Sequence, residues 1–331
     1  MTILITGGGG FVGLNIAEQL LEAGEAVVLF SLKAPPGWAT RRLASLPGQL
    51  SVETGDVRDR GTVLAAMRKH GVRRVVHGAA ITAALSREVQ QAALIASVNL
   101  GGTIEVMEAA LEHGAERLVH LSSGSVYGAS VKRDGWLDEQ ADVPVPDSLY
   151  GITKYAAERT ALRYRAVRRL DVVVARLGVV FGRWEYDTGV RDTLSIPLAL
   201  TQLAESGSHA AFGDDLPNDW VYASDVADAV IRLLRAPFVK QPLYHVSSGR
   251  RWSAASWCER LRERFPSFSY EIVSDPEKAN VGRQTPVPRP PFSIARLQGD
   301  TGYQPRFHEA EAFADYLAWR AAQGLDETGA E

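Results

Sequence analysis

The sequence predicts an α/β protein, a doubly wound parallel sheet followed by a smaller C-terminal α+β lobe. Two observations carry this prediction. Continuous Val/Leu/Ile runs alternate with helix-spaced stretches through the first half of the 331 residues, the pattern of a parallel sheet covered on both faces. The first of these runs also passes into the first helix through Thr6-Gly7-Gly8-Gly9-Gly10-Phe11-Val12-Gly13, a glycine-rich hand-over from strand to helix.

Taken in order, Thr2-Ile3-Leu4-Ile5 opens a buried strand over 2–6, and the apolar spacing from Val12 to Leu21 predicts a helix over 12–23. Gly24 ends that helix, and further strands are predicted at 26–30, 50–54, 73–77, 117–121 and 172–177. Helical patterning at 59–70, 88–113 and 149–169 fills the intervals. Right-handed crossovers then wind the sheet both ways and place a ligand outside the carboxyl ends of the strands. After Gly182 the rhythm changes to prolines, tryptophans and short elements. We therefore expect a first domain over 1–182 and a lobe over 183–331 that lies mainly on the substrate side. A helix at 225–234 and a strand at 243–246 are expected to return to the sheet. The stretch 275–291 reads as a surface loop, and the tail after Gly324 as frayed.

Hydrophobic residues make up 46% of the chain and charged residues 23%, ordinary values for a globular protein. A formal net charge of −3 gives no electrostatic reason to expect nucleic acid or an anionic membrane as partner. The single Cys258 excludes an intrachain disulfide framework and sits in an expected helix as a structural thiol. No HExxH or other metal-ligand spacing occurs among the seven histidines. No run reads as a membrane span, and the strand beginning at residue 2 leaves no room for a signal peptide. The expectation is a cytoplasmic, metal-free protein with a small-molecule substrate.

The glycine turn has a specific use. Gly7 permits the tight turn, Gly10 leaves room for phosphates, and Gly13 allows the helix to pack close to the strand. The free N–H groups and positive dipole end of the new helix then face a dinucleotide pyrophosphate.

Tyr150 and Lys154 stand at i and i+4 in YGITK, on one face of a helix. A cation beside a phenol favours the phenolate; bringing a tyrosine from about 10 to near 7 takes roughly 4 kcal/mol. Such a group can take a proton from a substrate hydroxyl as hydride leaves the same carbon. The strand at 117–121 runs into Ser122-Ser123-Gly124-Ser125-Val126-Tyr127-Gly128, which puts hydroxyls at the end of the sheet where ligands bind.

With these residues in view, the chain resembles an extended short-chain dehydrogenase/reductase of the NAD-dependent epimerase/dehydratase type, with a Rossmann fold. The resemblance spans TGGGGFVG, GDVRD (55–59), HGAA (77–80), the Asn99 helix, SSGSVYG, YGITK, DWVYASDVADA (219–229), YHVSSG and LQGDTGYQP. It implies Tyr150 as general acid/base, Lys154 on the nicotinamide ribose, and Ser123 on the reacting oxygen with Ser125 close by. It further implies cofactor contacts from Gly7, Gly10, Phe11, Val12, Gly13, Phe30, Ser31, Asp56, Val57, Ala79, Ala80 and Asn99, with Asp56 on the adenine amino group. A homodimer through the Asn99 and Tyr150 helices is also implied.

Four departures from the family pattern bear on specificity. Strand two ends Leu29-Phe30-Ser31, without the acidic residue usual in NAD-selective members. Ser31, Lys33, Arg41 or Arg42 could hold a 2′-phosphate, which tilts the expectation toward NADP over NAD. Gly124 and Ser125 replace the Asp-Glu pair of sugar-nucleotide dehydratases. Val179 stands where many nucleotide-sugar enzymes have asparagine, and Asn218-Asp219-Trp220 lacks their arginine. Thr82 and Arg191 are candidate substrate contacts, Arg191 as a carboxylate clamp. The resulting expectation is an NAD(P)-dependent oxidoreductase acting on a secondary alcohol or ketone of a small sugar, sugar acid or polyol. A sugar or nucleotide-sugar epimerase is the alternative, and a non-catalytic NAD(P) sensor stands further off.

Overall fold

Alternation along the first strand sets the architecture. In β1 (Thr2–Thr6) Ile3 and Ile5 join one apolar cluster while Leu4 joins another, so the strand is buried on both faces. The computed structural model describes residues 1–130, 135–186, 188–213, 219–282 and 290–323. Its further strands are β2 (Ala26–Ser31), β3 (Gln49–Thr54), β4 (Arg74–His77), β5 (Arg117–Ser123), β6 (Val172–Leu177), β7 (Val179–Phe181), β8 (His209–Phe212), β9 (Trp220–Tyr222), β10 (Leu243–Val246) and β11 (Ser269–Ile272). The helices are α1 (Phe11–Glu22), α2 (Gly37–Ala44), α3 (Arg60–His70), α4 (Leu85–Ala96), α5 (Gly102–His113), α6 (Leu149–Arg168), α7 (Ile196–Glu205), α8 (Ala223–Arg235), α9 (Ala254–Arg264), α10 (Ala295–Thr301) and α11 (Glu309–Ala322).

Seven strands form a parallel sheet in the order β3-β2-β1-β4-β5-β6-β10. The strand order reverses between β1 and β4, which opens a crevice at their carboxyl ends. One face is covered by α1 and α8, with Leu14, Leu20, Val226 and Val230 in its cluster. The other is covered by α3, α5 and α6, with Val63, Val106 and Ala161. A third, aromatic core of Phe181, Trp220, Tyr222, Trp257 and Tyr316 lies among α7, α9 and α11. It is flanked by two small parallel pairs, β8 with β11 and β7 with β9.

Three features depart from the sequence reading. Helix α2 was not anticipated; it is short, and only Ala39 and Leu43 of it are buried. The helix expected at 88–113 begins at Leu85, kinks at Gln91 (φ −132°) and passes through a π-turn at Ser97–Gly101. By length and mean hydropathy (1.3) the run Leu85–His113 is apolar enough to cross a membrane, contrary to the reading that no run qualified. In the fold it packs beside α3 and α6 and carries Asn99 and Thr103 into a buried polar network. The stretch expected as loop at 275–291 holds a single helical turn, Pro276–Lys278, and residues 283–289 lie outside the described residues, as do Asn218 and the tail after residue 323.

Candidate active site

A cavity of about 1320 Å³ opens at the switch point between β1 and β4 and runs along the carboxyl ends of the strands. That exceeds the roughly 300–1,000 Å³ of a drug-sized pocket and leaves room for a dinucleotide with a second ligand. Gly7, Gly10, Phe11, Val12 and Gly13 line it, as do Ser31, Asp56, Val57, Ala79, Ala80, Thr82, Ser123, Ser125, Tyr150 and Arg191.

The glycine turn fits a pyrophosphate on steric grounds. Gly7 has φ +68°, and a Cβ on it would lie 2.8 Å from the Ala79 nitrogen. A Cβ on Gly13 would lie 2.6 Å from the Gly7 carbonyl oxygen. Side chains are therefore excluded from a cradle that opens onto the N-terminus of α1. The turn is braced by the Gly10 N–H donating to Gly7 O (2.9 Å) and the Gly9 N–H donating to Ser31 Oγ (3.1 Å).

Beneath the cradle lies a chain of neutral groups. Thr103 donates to Asn99 O (2.7 Å), so it accepts from His77 Nε2 (2.9 Å), and His77 Nδ1 accepts from Thr6 (2.6 Å). Burial, with the nearby Lys154 charge, pulls His77 down to about 3, so it is a neutral packed histidine.

At the opposite wall, Ser123 ends β5 and Tyr150 stands in the first turn of α6. Ser148 caps that helix, its Oγ accepting from the Gly151 N–H (3.2 Å). Ser123 Oγ accepts from the Ser125 N–H (3.1 Å) and donates to Ser125 Oγ (3.2 Å), so the two hydroxyls act as a pair. Lys154, one helical turn beyond Tyr150, donates Nζ to Leu121 O at 2.5 Å and is 3% exposed. Burial lowers Lys154 to about 8, with Glu158 opposing the shift. Glu158 is in turn held by Arg176 (2.5 and 2.8 Å) and Ser122 (3.0 Å), all buried.

The structure places several of the expected contacts away from the cavity or against other partners. Phe30 is fully buried, its ring packed beneath Gly55, so it faces the core rather than the cavity. Asn99 is 1% exposed and spends its amide on Ile81 N (2.8 Å), Ile81 O (3.0 Å) and Thr153 (3.1 Å); it holds the loop after β4 and does not face a ligand. Lys154 is not on the cavity wall. Arg42 is engaged by Glu18 (3.2 Å), lies over Trp184 and is not among the residues lining the cavity, whereas Lys33 lines it. Arg191 donates to Glu185 (2.7 Å) and lies 5.2 Å from the Phe11 ring centre, at the glycine-turn end. Arg58, Tyr186 and Glu185 were missed. Arg58 lines the cavity and pairs with Asp56, whose carboxyl it holds below the usual range. Its only sequence signal was its place in GDVRD.

Fold and site together define a dinucleotide-dependent enzyme of the extended short-chain dehydrogenase type. A model of the NAD dependent epimerase/dehydratase family matches residues 3–247, and the chain belongs to that family. A dTDP-glucose 4,6-dehydratase of an Actinoplanes species is 28% identical over 97% of this chain and 98% of its own length. The UDP-glucose 4-epimerase of Thermotoga maritima, solved with UDP-glucose, superposes with a TM-score of 0.82 at 22% identity, covering 98% of this chain and 99% of that one. The UDP-glucose 4-epimerase of Thermus thermophilus, solved with NAD, gives 0.79 at 25% identity over 97% and 100%.

Proposed function

We propose that the chemical step is reversible oxidation of a secondary alcohol on a sugar, sugar acid or similar polyol, in an NAD(P)-dependent enzyme. The observation that carries this is the placing of Tyr150, Ser123 and the glycine cradle on the walls of one cavity. The nicotinamide, when bound, supplies the hydride acceptor or donor. The chain supplies the rest: Tyr150 Oη moves the proton of the reacting hydroxyl, and Ser123, paired with Ser125, orients its oxygen. Lys154 provides a buried positive charge on the same helix face. The Gly124-Ser125 turn carries no carboxyl group, which argues against elimination of water. Val179 lines the cavity with hydrocarbon, which argues against a substrate diphosphate at that point. Ser31 and Lys33, with no carboxylate at the end of β2, favour NADP over NAD by a small margin.

A second reading, an epimerase that returns the hydride to the same substrate, is supported by the epimerases among the matched proteins. Stoichiometric cofactor reduction across a panel of sugars, sugar acids and nucleotide sugars would support the dehydrogenase. Epimer interconversion without net reduction would support the epimerase. In either case Tyr150→Phe is expected to lower turnover by roughly 10²–10⁴-fold with cofactor affinity nearly unchanged. Substantial residual turnover would remove Tyr150 from the mechanism.

We also infer a homodimer through α4 and α6, which pack together and leave Leu85 (75% exposed), Val89 (77%) and Ile152 (49%) at the surface. Sedimentation at micromolar concentration tests it; a monomer there would overturn it.

A further inference from the structure

Two residues that follow β7 are anchored back across the crevice in which the cofactor is expected, one through its side chain and one through its backbone. Tyr186 donates its hydroxyl to Gly9 O at 2.5 Å, on the glycine turn. Arg191 pairs in parallel with Thr82, just after β4: Thr82 N–H donates to Val190 O (2.8 Å), and Asp192 N–H donates to Thr82 O (3.1 Å). The two anchors stand on opposite sides of the switch point, one on the β1–α1 turn and one on the loop after β4.

The anchors are held firmly from behind. Trp184 takes a left-handed conformation (φ 66°), which a side-chain-bearing residue adopts only when its surroundings fix it. It stacks on Trp38 (5.4 Å between centres) and donates Nε1 to Glu18 (2.8 Å). Asn15 of α1 donates to Arg183 O (2.7 Å). Glu185, with a fully buried carboxylate, accepts from Ser195 N (2.8 Å), Ser195 Oγ (2.7 Å) and Arg191 Nη1 (2.7 Å). Arg191 therefore has one nitrogen committed to a fixed carboxylate. Its guanidinium lies over Phe11, the first residue of α1, and its side chain, 20% exposed, lines the cavity.

A guanidinium over the ring of the first α1 residue, on the wall of the cavity into which the glycine cradle opens, has further donors that suit two phosphate oxygens. We propose that Arg191 binds the pyrophosphate of the dinucleotide rather than the substrate, and that Arg191 and Tyr186 together retain the cofactor through turnover. This rests on the dinucleotide-dependent reading above, and it bears on its second form, since an enzyme that returns hydride to one substrate has no need to exchange cofactor.

The test is cofactor release. Purified protein is loaded with NAD or NADP, desalted, and followed by tryptophan fluorescence while free cofactor is trapped by an added cofactor-consuming enzyme. Arg191→Met is expected to release cofactor at least tenfold faster than the wild type, with a lowered melting temperature of the cofactor-free protein, since it leaves the buried Glu185 carboxylate without its cation. Tyr186→Phe, which deletes a single hydroxyl, is expected to speed release severalfold and serves if Arg191→Met does not fold. Unchanged release in both variants, or a raised substrate KM for Arg191→Met with unchanged release, overturns the proposal. Failure of wild-type protein to take up either cofactor would instead overturn the reading on which it rests.

Discussion

The two ends of the cavity are built from different materials. The glycine-turn end is made of backbone: Gly7 at φ +68°, Gly13 with no room for a Cβ, and amides braced by Gly7 O and Ser31 Oγ. The end proposed to react is made of side chains brought from distant parts of the chain, with Ser123 on β5, Tyr150 on α6 and Val179 on β7. A site made of backbone has little room for added atoms, because nothing in it can rotate away. A site made of side chains is retuned by exchanging one of them.

Gly13→Val should break the first end and has the largest expected effect. A Cβ there meets Gly7 O at 2.6 Å and Gly8 Cα at 2.9 Å, both backbone atoms. The turn has to open, and cofactor affinity is expected to fall by roughly a hundredfold or more, about 2.7 kcal/mol, with a lower melting temperature. At Gly10 a Cβ meets Gly7 O at 3.2 Å, so Gly10→Ala should cost distinctly less. Calorimetric titration with NAD and NADP checks both. Wild-type affinity in Gly13→Val would show that the cradle is not where the cofactor sits.

The same contrast governs what could be read from the sequence. Glycines at 7, 10 and 13, a strand before them and a helix after, are local facts, and local facts survive in a linear string. Tyr150 and Lys154 share a helix face for the same reason. Phe30 did not yield to this treatment. Alternation along β2 puts Leu29 and Phe30 on opposite faces, but only the packing of Gly55 and Thr62 decides that Phe30 is covered. The resemblance implies Asn99 as a cofactor contact, but its partner, the Ile81 backbone, is 18 residues away. Arg191 was legible as an arginine near the cleft, whereas its engagement with Glu185 and Phe11 depends on contacts spanning up to 180 positions of the chain.

Two buried neutral histidines, one of them beneath the backbone-built end, make a prediction of intermediate size. His77 is held at about 3 by burial and by the Lys154 charge, and His245 at about 3 by burial and by Arg176. Both lie below the ordinary value of 6.5, so the unfolded chain binds protons that the folded chain refuses. Stability from these histidines is fully present above pH 6.5 and is lost as pH falls toward 3, by up to about 1.4 kcal/mol per pH unit for each. His77→Gln is expected to flatten the dependence of chemical unfolding on pH between 6 and 4 by up to one proton. An unchanged slope would mean that His77 is charged in the folded protein, and that the tautomer fixed by Thr6 and Thr103 is wrong.

The smallest effect tests the rim between the two ends, where backbone and side chain meet. Ser31 Oγ accepts the Gly9 N–H, and it also lines the cavity where a ribose 2′ substituent is expected. Ser31→Asp keeps an acceptor for that N–H, so the turn should hold its shape, while a negative charge is added beside Lys33. A 2′-phosphate would be repelled there, and a free 2′-hydroxyl could donate to the new carboxylate. NADP affinity is expected to fall about tenfold, 1.4 kcal/mol, with NAD unchanged or slightly tighter. The difference between the two titrations is the informative quantity, because damage to the turn would weaken both cofactors alike. Equal losses would mean that Ser31 acts only through Gly9, and that cofactor choice is made by Lys33 or Arg58 instead.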